Sequence, residues 1–225
     1  AISDEEVIYK EQKSNLYYVD YKISGSKEKI TIATTRPETI LGDTAICVHP
    51  NDQRYARLLG LKALVPLINR EIPIISDEYI DPDFGTGALK VTPAHDINDY
   101  EIGVKNNLEL ISVIDSKGEM SADGGLYIGQ DRFEARKNII RDIKEIGQLS
   151  KIESIKNKIG FSERTDVIIE PRLSTQWFMT MDHLVKPAIE NVANGEIKFY
   201  PDKFKNTYNH WLNNIKDWCI SRQLR

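Results

Sequence analysis

Residues 85–101 constrain the chain more than any other stretch, because three kinds of local structure follow one another there without a gap. Gly85-Thr86-Gly87 is a turn. In the strand that follows, Leu89 and Val91 point to one face and Lys90 and Thr92 to the other. Pro93 has no N–H to give and ends the ladder. Asp96 is a good N-cap, and Ile97, Tyr100 and Val104 recur at i, i+3 and i+7, which predicts an apolar helix face. Any fold that accepts this stretch holds a strand end against a helix start. An ammonium (Lys90), a hydroxyl (Thr92) and two carboxylates (Asp96, Asp99) then gather at a junction fixed on both sides, a common place for a binding site. Plain capping by Asp-x-x-Asp and a solvated Lys/Thr strand face explain the same residues.

A length of 225 residues, 40% hydrophobic and 28% charged, suits one large domain or a domain with an appendage. No apolar run approaches a membrane span, and the start, from Ala1 to Glu6, is acidic rather than a basic leader. Cys47 and Cys219 lie far apart and form no CxxC, which argues for reduced cytosolic thiols and against a zinc knuckle. A formal net charge of −4 speaks against a large non-specific nucleic-acid surface. It leaves room for a protein that grips only the end of an RNA.

Along the chain, residues 16–23 and 29–34 read as a hairpin turning at Gly25-Ser26. Pro37 and Gly42 suit the start and end of a short helix. Thr34, Thr35 and Arg36 therefore sit where hydroxyls, a guanidinium and free N–H groups could hold a phosphate, a ribose or a carboxylate, or simply cap. Residues 44–48, 62–67, 72–76 and 110–114 read as strands, and Asn51 caps a helix with Tyr55, Leu58 and Leu59 inward, closed by Gly60. Asp131 opens a helix with Ala135, Ile139, Ile143 and Ile146 on one face. Lys151, Lys156, Lys158 and Arg164 form a loose basic segment, either a solvated face or a contact for RNA backbone. Residues 167–171, 173–178 and 197–199 look like strands, and residues 184–192 and 204–215 look helical, the former despite Pro187. The abrupt finish after Trp218 suggests a piece of a longer protein.

Four stretches together resemble the editing insertion of class I aminoacyl-tRNA synthetases: Thr34-Thr35-Arg36-Pro37-Glu38-Thr39 with Gly42-Asp43-Thr44-Ala45; residues 85–101; Ile169-Glu170-Pro171-Arg172-Leu173-Ser174-Thr175-Gln176-Trp177; and Asp217-Trp218-Cys219-Ile220-Ser221-Arg222-Gln223-Leu224. They occur in family order over nearly the whole chain. Lys90, absent from leucyl relatives, and Arg36, usually absent from isoleucyl ones, favour the valyl branch. The chain lacks His-x-Gly-His and Lys-Met-Ser-Lys-Ser, the family's ATP-handling signatures, and Arg225 stands where an aromatic residue is expected.

The resemblance implies a β-rich α+β fold: a compact mixed β-barrel with peripheral helices over residues 1–165, then a returning helical segment over 166–225 that leads toward an absent catalytic core. It implies proofreading, the hydrolysis of the ester that joins misattached threonine to tRNA(Val). Lys90, Thr92 and Asp96 would read the side-chain hydroxyl, Asp96 would also orient a water, and Asp99 would hold the α-ammonium. Thr34, Thr35 and Arg36 would surround the terminal adenosine or the ester. Phe84 would pack beside the substrate, and Gly85 and Gly87 would let backbone approach it. No metal or cofactor is expected in this chain, with ATP and Mg needed only by the full-length enzyme. Its partners would be the tRNA acceptor end and the rest of the synthetase, in a cytoplasmic and monomeric protein. A leucyl or isoleucyl editing domain, an RNA-binding barrel without catalysis, and a metal hydrolase built on His49, His95, Asp96 and Asp99 are the alternatives.

Overall fold

The computed structural model describes residues 6–221, so the expectations for Ala1–Glu5 and for Arg222–Arg225 lie outside the described residues. The chain divides into two compact units, one ending at Leu173 and one beginning at Ser174.

In the first unit, β1 (Val7–Ile23) is the organising strand. Its second half pairs antiparallel with β2 (Lys29–Thr34), and its last two residues pair with β4 (Lys62–Leu64). β4 pairs with β5 (Glu71–Ser76), β5 runs parallel to β3 (Ala45–Val48), and β3 pairs with β6 (Ala88–Val91). The result is a mixed sheet in the order β2-β1-β4-β5-β3-β6. Its inner face presents Val19, Tyr21, Ile23, Ile30, Ile32, Ile46 and Ile74, all buried. The helix α2 (Arg132–Glu145) packs Ala135, Ile139 and Ile143 into the same core, beside the 3-10 helix Pro37–Gly42. The Asp131 carboxylate caps α2 by accepting from Phe133 N at 2.8 Å and Glu134 N at 3.4 Å.

The unit is β-rich and α+β, but the barrel is not closed. β2 and β6 lie near each other, yet no ladder joins them among the described residues. β6 is only four residues long and Pro93 stops it. The open seam carries a polar cleft instead.

Several local expectations change. The basic segment is not loose: β7 (Leu149–Ser162) pairs with β1 from Val7 to Val19 in a long antiparallel ribbon. Residues 110–114 form no strand. Only an isolated bridge, Ile114 to Met120, occurs there, and Val113 N is directed to His95. Residues 167–171 contribute one bridge, Ile168 to Phe161. In α1 (Ile97–Lys105) the predicted apolar face is turned outward, with Ile97 74% and Val104 61% exposed, while Asp99, Ile102 and Gly103 are buried. Gly103 is the reason. A Cβ there would lie 2.8 Å from Pro93 Cγ, so only glycine lets the helix come this close to the end of β6.

The second unit holds a two-residue ladder between β8 (Phe178–Met179) and β9 (Trp218–Cys219) and two helices, α3 (Asp182–Ala193) and α4 (Phe204–Asn213). Of residues 173–178 only Phe178 is in a strand, and residues 197–199 are in none. Pro187 is accommodated inside α3. Tyr208 donates to Ala188 O at 3.1 Å, and its ring meets Phe199 at 5.0 Å. On the same helix Phe204 and Trp211 are solvent-facing, Trp211 72% exposed.

Candidate active site

The seam between β2 and β6 opens into a cavity of about 570 Å³ whose lining includes Thr34, Thr35, Arg36, Phe84, Lys90, Thr92, Asp96 and Asp99. An adjoining hollow of about 350 Å³ shares Phe84, Asp96 and Asp99 and adds Gly85 and Gly87. Residues from the end of β2, the end of β6 and the start of α1 thus meet around one space. Gly87, at φ +74°, is required where it stands: a Cβ would fall 2.8 Å from the backbone oxygen of Pro82 and would also displace the Arg54 guanidinium.

The inner wall is a closed hydrogen-bond network centred on Asp43, a residue that the sequence reading quoted but gave no role. Lys90 Nζ donates to Thr39 Oγ1 at 2.7 Å, Asp43 Oδ1 at 3.1 Å and Thr92 Oγ1 at 2.5 Å. Thr92 Oγ1 donates to Asp43 Oδ1 at 2.6 Å, and Tyr21 OH donates to Asp43 Oδ2 at 2.5 Å. Arg70 Nη2 anchors the backbone through Leu41 O and Asp43 O, both at 2.8 Å. An ammonium has three N–H donors, so Lys90 has none left for a ligand. Burial pushes the Asp43 carboxyl up, while the Lys90 charge and the Thr92 and Tyr21 hydroxyls pull it back. The signal in the sequence was an aspartate between a helix-ending glycine and an apolar strand. An acid there is buried and needs partners.

The rim is different. Asp96 is exposed and uses Oδ1 to cap α1, accepting from Asn98 N at 2.8 Å and Asp99 N at 3.2 Å. Asp99 is buried and accepts from Thr92 N through Oδ2 at 2.8 Å. Neither Asp96 Oδ2 nor Asp99 Oδ1 has a protein partner among the described residues, nor does the Thr35 hydroxyl. Desolvation raises the Asp99 carboxyl to about 6, against the pull of Lys90 and the Thr92 N–H.

Thr34 and Arg36 are committed to the protein. Thr34 Oγ1 accepts from Arg36 N at 3.0 Å. Arg36 donates through Nη1 to His95 O at 2.9 Å and through Nη2 to Glu170. Glu170 also faces Arg132 Nε at 3.4 Å, and Glu38 takes a bidentate pair from Arg136 at 2.7 and 2.8 Å. Glu38, Glu170, Arg132 and Arg136 had no role assigned from sequence: Glu170, Arg132 and Arg136 lie far along the chain from Arg36, and Glu38, two residues away, is tied in by the distant Arg136. His95 Nε2 accepts from Val113 N at 2.9 Å, which puts the ring proton of the neutral form on Nδ1. Burial, with Arg36 nearby, lowers its pKa to about 4, so the ring is neutral at pH 7. Phe84, 80% exposed, stands at the mouth. Among the described residues no group of three His, Cys, Asp or Glu is placed to hold a metal ion, and no helix is long and apolar enough to cross a membrane.

Comparison with known proteins gives the family of the chain. The family model for class I tRNA synthetases (I, L, M and V) matches residues 1–225. The chain is 59% identical over 224 residues to a valine–tRNA ligase of Parabacteroides distasonis, and 58% identical over 226 residues to that of Phocaeicola vulgatus. Each alignment covers all of this chain and 26% of the relative, so the chain spans about a quarter of the length of the curated relatives it matches. A solved ternary complex, Agrobacterium radiobacter K84 agnB2 LeuRS-tRNA-LeuAMS, superposes with a TM-score of 0.49 at 21% identity, covering 67% of this chain and 20% of that one.

Proposed function

This chain belongs to the class I tRNA synthetases of the I, L, M and V group, and from that premise we propose that it is the editing segment of a valine–tRNA ligase. Its cleft hydrolyses the ester between misattached threonine and the tRNA(Val) acceptor end, residues 1–165 carry the site, and residues 166–225 return toward the catalytic core. The full-length enzyme attaches valine to tRNA with ATP and Mg, as a cytoplasmic monomer.

The chemical need is asymmetric. A hydrophobic pocket rejects an isostere bearing a hydroxyl only weakly; valine–tRNA ligases against threonine are a well-known case at about 10², a figure of the enzyme class and not of this chain. An editing pocket must do the reverse, accepting a hydroxyl and refusing a methyl. The observation that carries the reading is the pair of unclaimed carboxylate oxygens, Asp96 Oδ2 and Asp99 Oδ1, on one cavity. Threonine brings donors to both: its ammonium to Asp99 and its hydroxyl to Asp96. Valine would leave Asp96 Oδ2 facing a methyl group, at a penalty of about 1–3 kcal/mol. Lys90 does not read the hydroxyl directly. It holds Thr92 and Asp43 in place and, by its charge, favours ionised Asp99.

The ester is already activated, so positioning supplies much of the rate. Water adds to the carbonyl carbon, the carbon–oxygen ester bond breaks, and the ribose oxygen leaves with a proton as a free hydroxyl. Asp96 orients the water as well as the side chain. The test is deacylation of threonyl-tRNA(Val) by the full-length ligase and its Asp99→Ala variant. A loss of about 100-fold with valine charging intact is expected. Wild-type deacylation in the variant would refute the ammonium role, and a wild-type enzyme that prefers isoleucyl- or valyl-charged tRNA would place the chain in another branch.

A further inference from the structure

Beside the ester pocket lies a third hollow, of about 540 Å³, which shares Thr35, Arg36, Asp96 and Asn157 with it. Its lining is cationic: Lys13 and Lys158 from the ribbon, and Arg36, Arg132 and Arg136. The three guanidiniums share two carboxylates, Glu38 and Glu170, so positive charge is left over. The lysines are more telling. Of the basic residues on or just beyond β7, Lys151 pairs with Glu153 and Arg164 with Glu6. Among the described residues Lys156 and Lys158 make no ion pair, and neither does Lys13. In the β1–β7 register Lys13 stands directly opposite Lys156. Like charges facing each other across a ladder are destabilising; the register sets Glu11 opposite Lys158, two residues along from Lys13, but among the described residues it makes no ion pair with any of the three lysines. The arrangement belongs to a chain whose formal net charge is −4, so it is a local exception and not the average surface.

We infer that this ribbon and hollow hold the phosphodiester backbone of the single RNA strand that precedes the reacting nucleotide, with Lys13, Lys156 and Lys158 each set against a phosphate. The inference rests on the hydrolase reading above and extends it from the ester to the strand attached to it. An aminoacyl end cannot enter the pocket alone. The strand behind it carries one negative charge per nucleotide and must leave through an opening that adjoins the pocket, and of the two adjoining hollows only this one is lined by lysines and arginines. An acidic peptide would satisfy the charges, but nothing ties it to the ester pocket.

The experiment uses the full-length ligase, wild type and Lys13→Ala/Lys158→Ala, on two substrates: threonyl-tRNA(Val), and the threonyl ester of adenosine, which has no phosphodiester. The double variant should raise KM for threonyl-tRNA about fivefold per lysine at 0.1 M salt. It should also flatten the slope of log KM against log salt by about 0.7 per lysine. Hydrolysis of the adenosine ester should be unchanged, and Lys13→Arg/Lys158→Arg should keep wild-type values on both. An unchanged KM and slope for threonyl-tRNA overturn the inference. So does an equal loss on both esters, which would make the lysines part of the pocket or fold. Wild-type enzyme that hydrolyses neither ester would refute the hydrolase reading itself. The salt dependence of uncharged tRNA binding then decides the lysine contacts, and a slope unaltered by the double variant overturns them.

Discussion

The inner wall of the cleft and its rim use the same residue types, threonines and acids with one lysine, but to opposite ends. On the wall, Lys90, Thr92, Thr39, Tyr21 and Asp43 spend their donors on each other, away from solvent. On the rim, Asp96, Asp99 and Thr35 keep hydrogen-bonding capacity open toward the cavity. A side chain with every bond filled fixes shape and field, whereas one with a vacancy meets the ligand. Residue type alone does not separate the two, because Lys90 and Asp96 both look like readers of a hydroxyl until their partners are counted.

The largest effect should come from breaking the wall. Asp43→Ala leaves a buried ammonium without its carboxylate, and unfolding in denaturant should show a loss of about 3–5 kcal/mol. Replacing both charges, Asp43→Leu with Lys90→Met, should destabilise less than Asp43→Ala alone while still abolishing deacylation. If the single variant keeps wild-type stability, the wall is not the structural half of the site.

Asp99→Asn acts on the rim and should separate activity from stability. Burial raises its carboxyl to about 6 in the fold against the ordinary aspartate value of 3.8, so the ionised form destabilises the fold above pH 6, and the effect is gone below pH 4. At 1.36 kcal/mol per unit, the neutral amide should be more stable at pH 7.5 by about 2–3 kcal/mol. The difference should close as pH falls from 6 to 4, read from denaturation midpoints. In wild type, kcat/KM for threonyl-tRNA should fall as pH drops through about 6, because protonated Asp99 cannot hold an ammonium. A flat profile from pH 7.5 to 5 would remove Asp99 from that role.

What the sequence disclosed follows the same division. The strand-to-helix junction was legible because Pro93 and Asp96 act locally, through a missing N–H and a capping oxygen. The hairpin, the 3-10 helix at Pro37 and the core stripe of α2 were legible for similar reasons. The outward turn of Ile97, Tyr100 and Val104 was not. Periodicity reports an apolar stripe, while the packed face was chosen by a glycine's closeness to a proline. Nor did the first half of β1 announce itself: Lys10, Glu11, Gln12 and Lys13 are polar on both faces, and only pairing with β7 makes them a strand. Asp43 was visible as a residue but not as a hub, since its partners come from two strands far from it along the chain, Tyr21 from β1 and Lys90 and Thr92 from β6 and its end.

Two smaller substitutions sharpen the rim. Asp96→Asn keeps the cap, because asparagine is an equal N-cap, but exchanges an anionic oxygen for an amide in the cavity. Threonyl-tRNA deacylation should fall about 10-fold, and discrimination against valyl-tRNA should narrow with it. Unchanged discrimination would assign the hydroxyl to another group. That group would be Thr35, whose hydroxyl has no protein partner among the described residues. Thr35→Val should matter least, about threefold in kcat/KM, the weight of one neutral hydrogen bond. If Thr35→Val instead exceeds Asp96→Asn in its effect on the ratio of threonyl- to valyl-tRNA hydrolysis, the acid orients water and the hydroxyl of Thr35 does the reading. The rim would then divide its two tasks between residues on opposite sides of the seam.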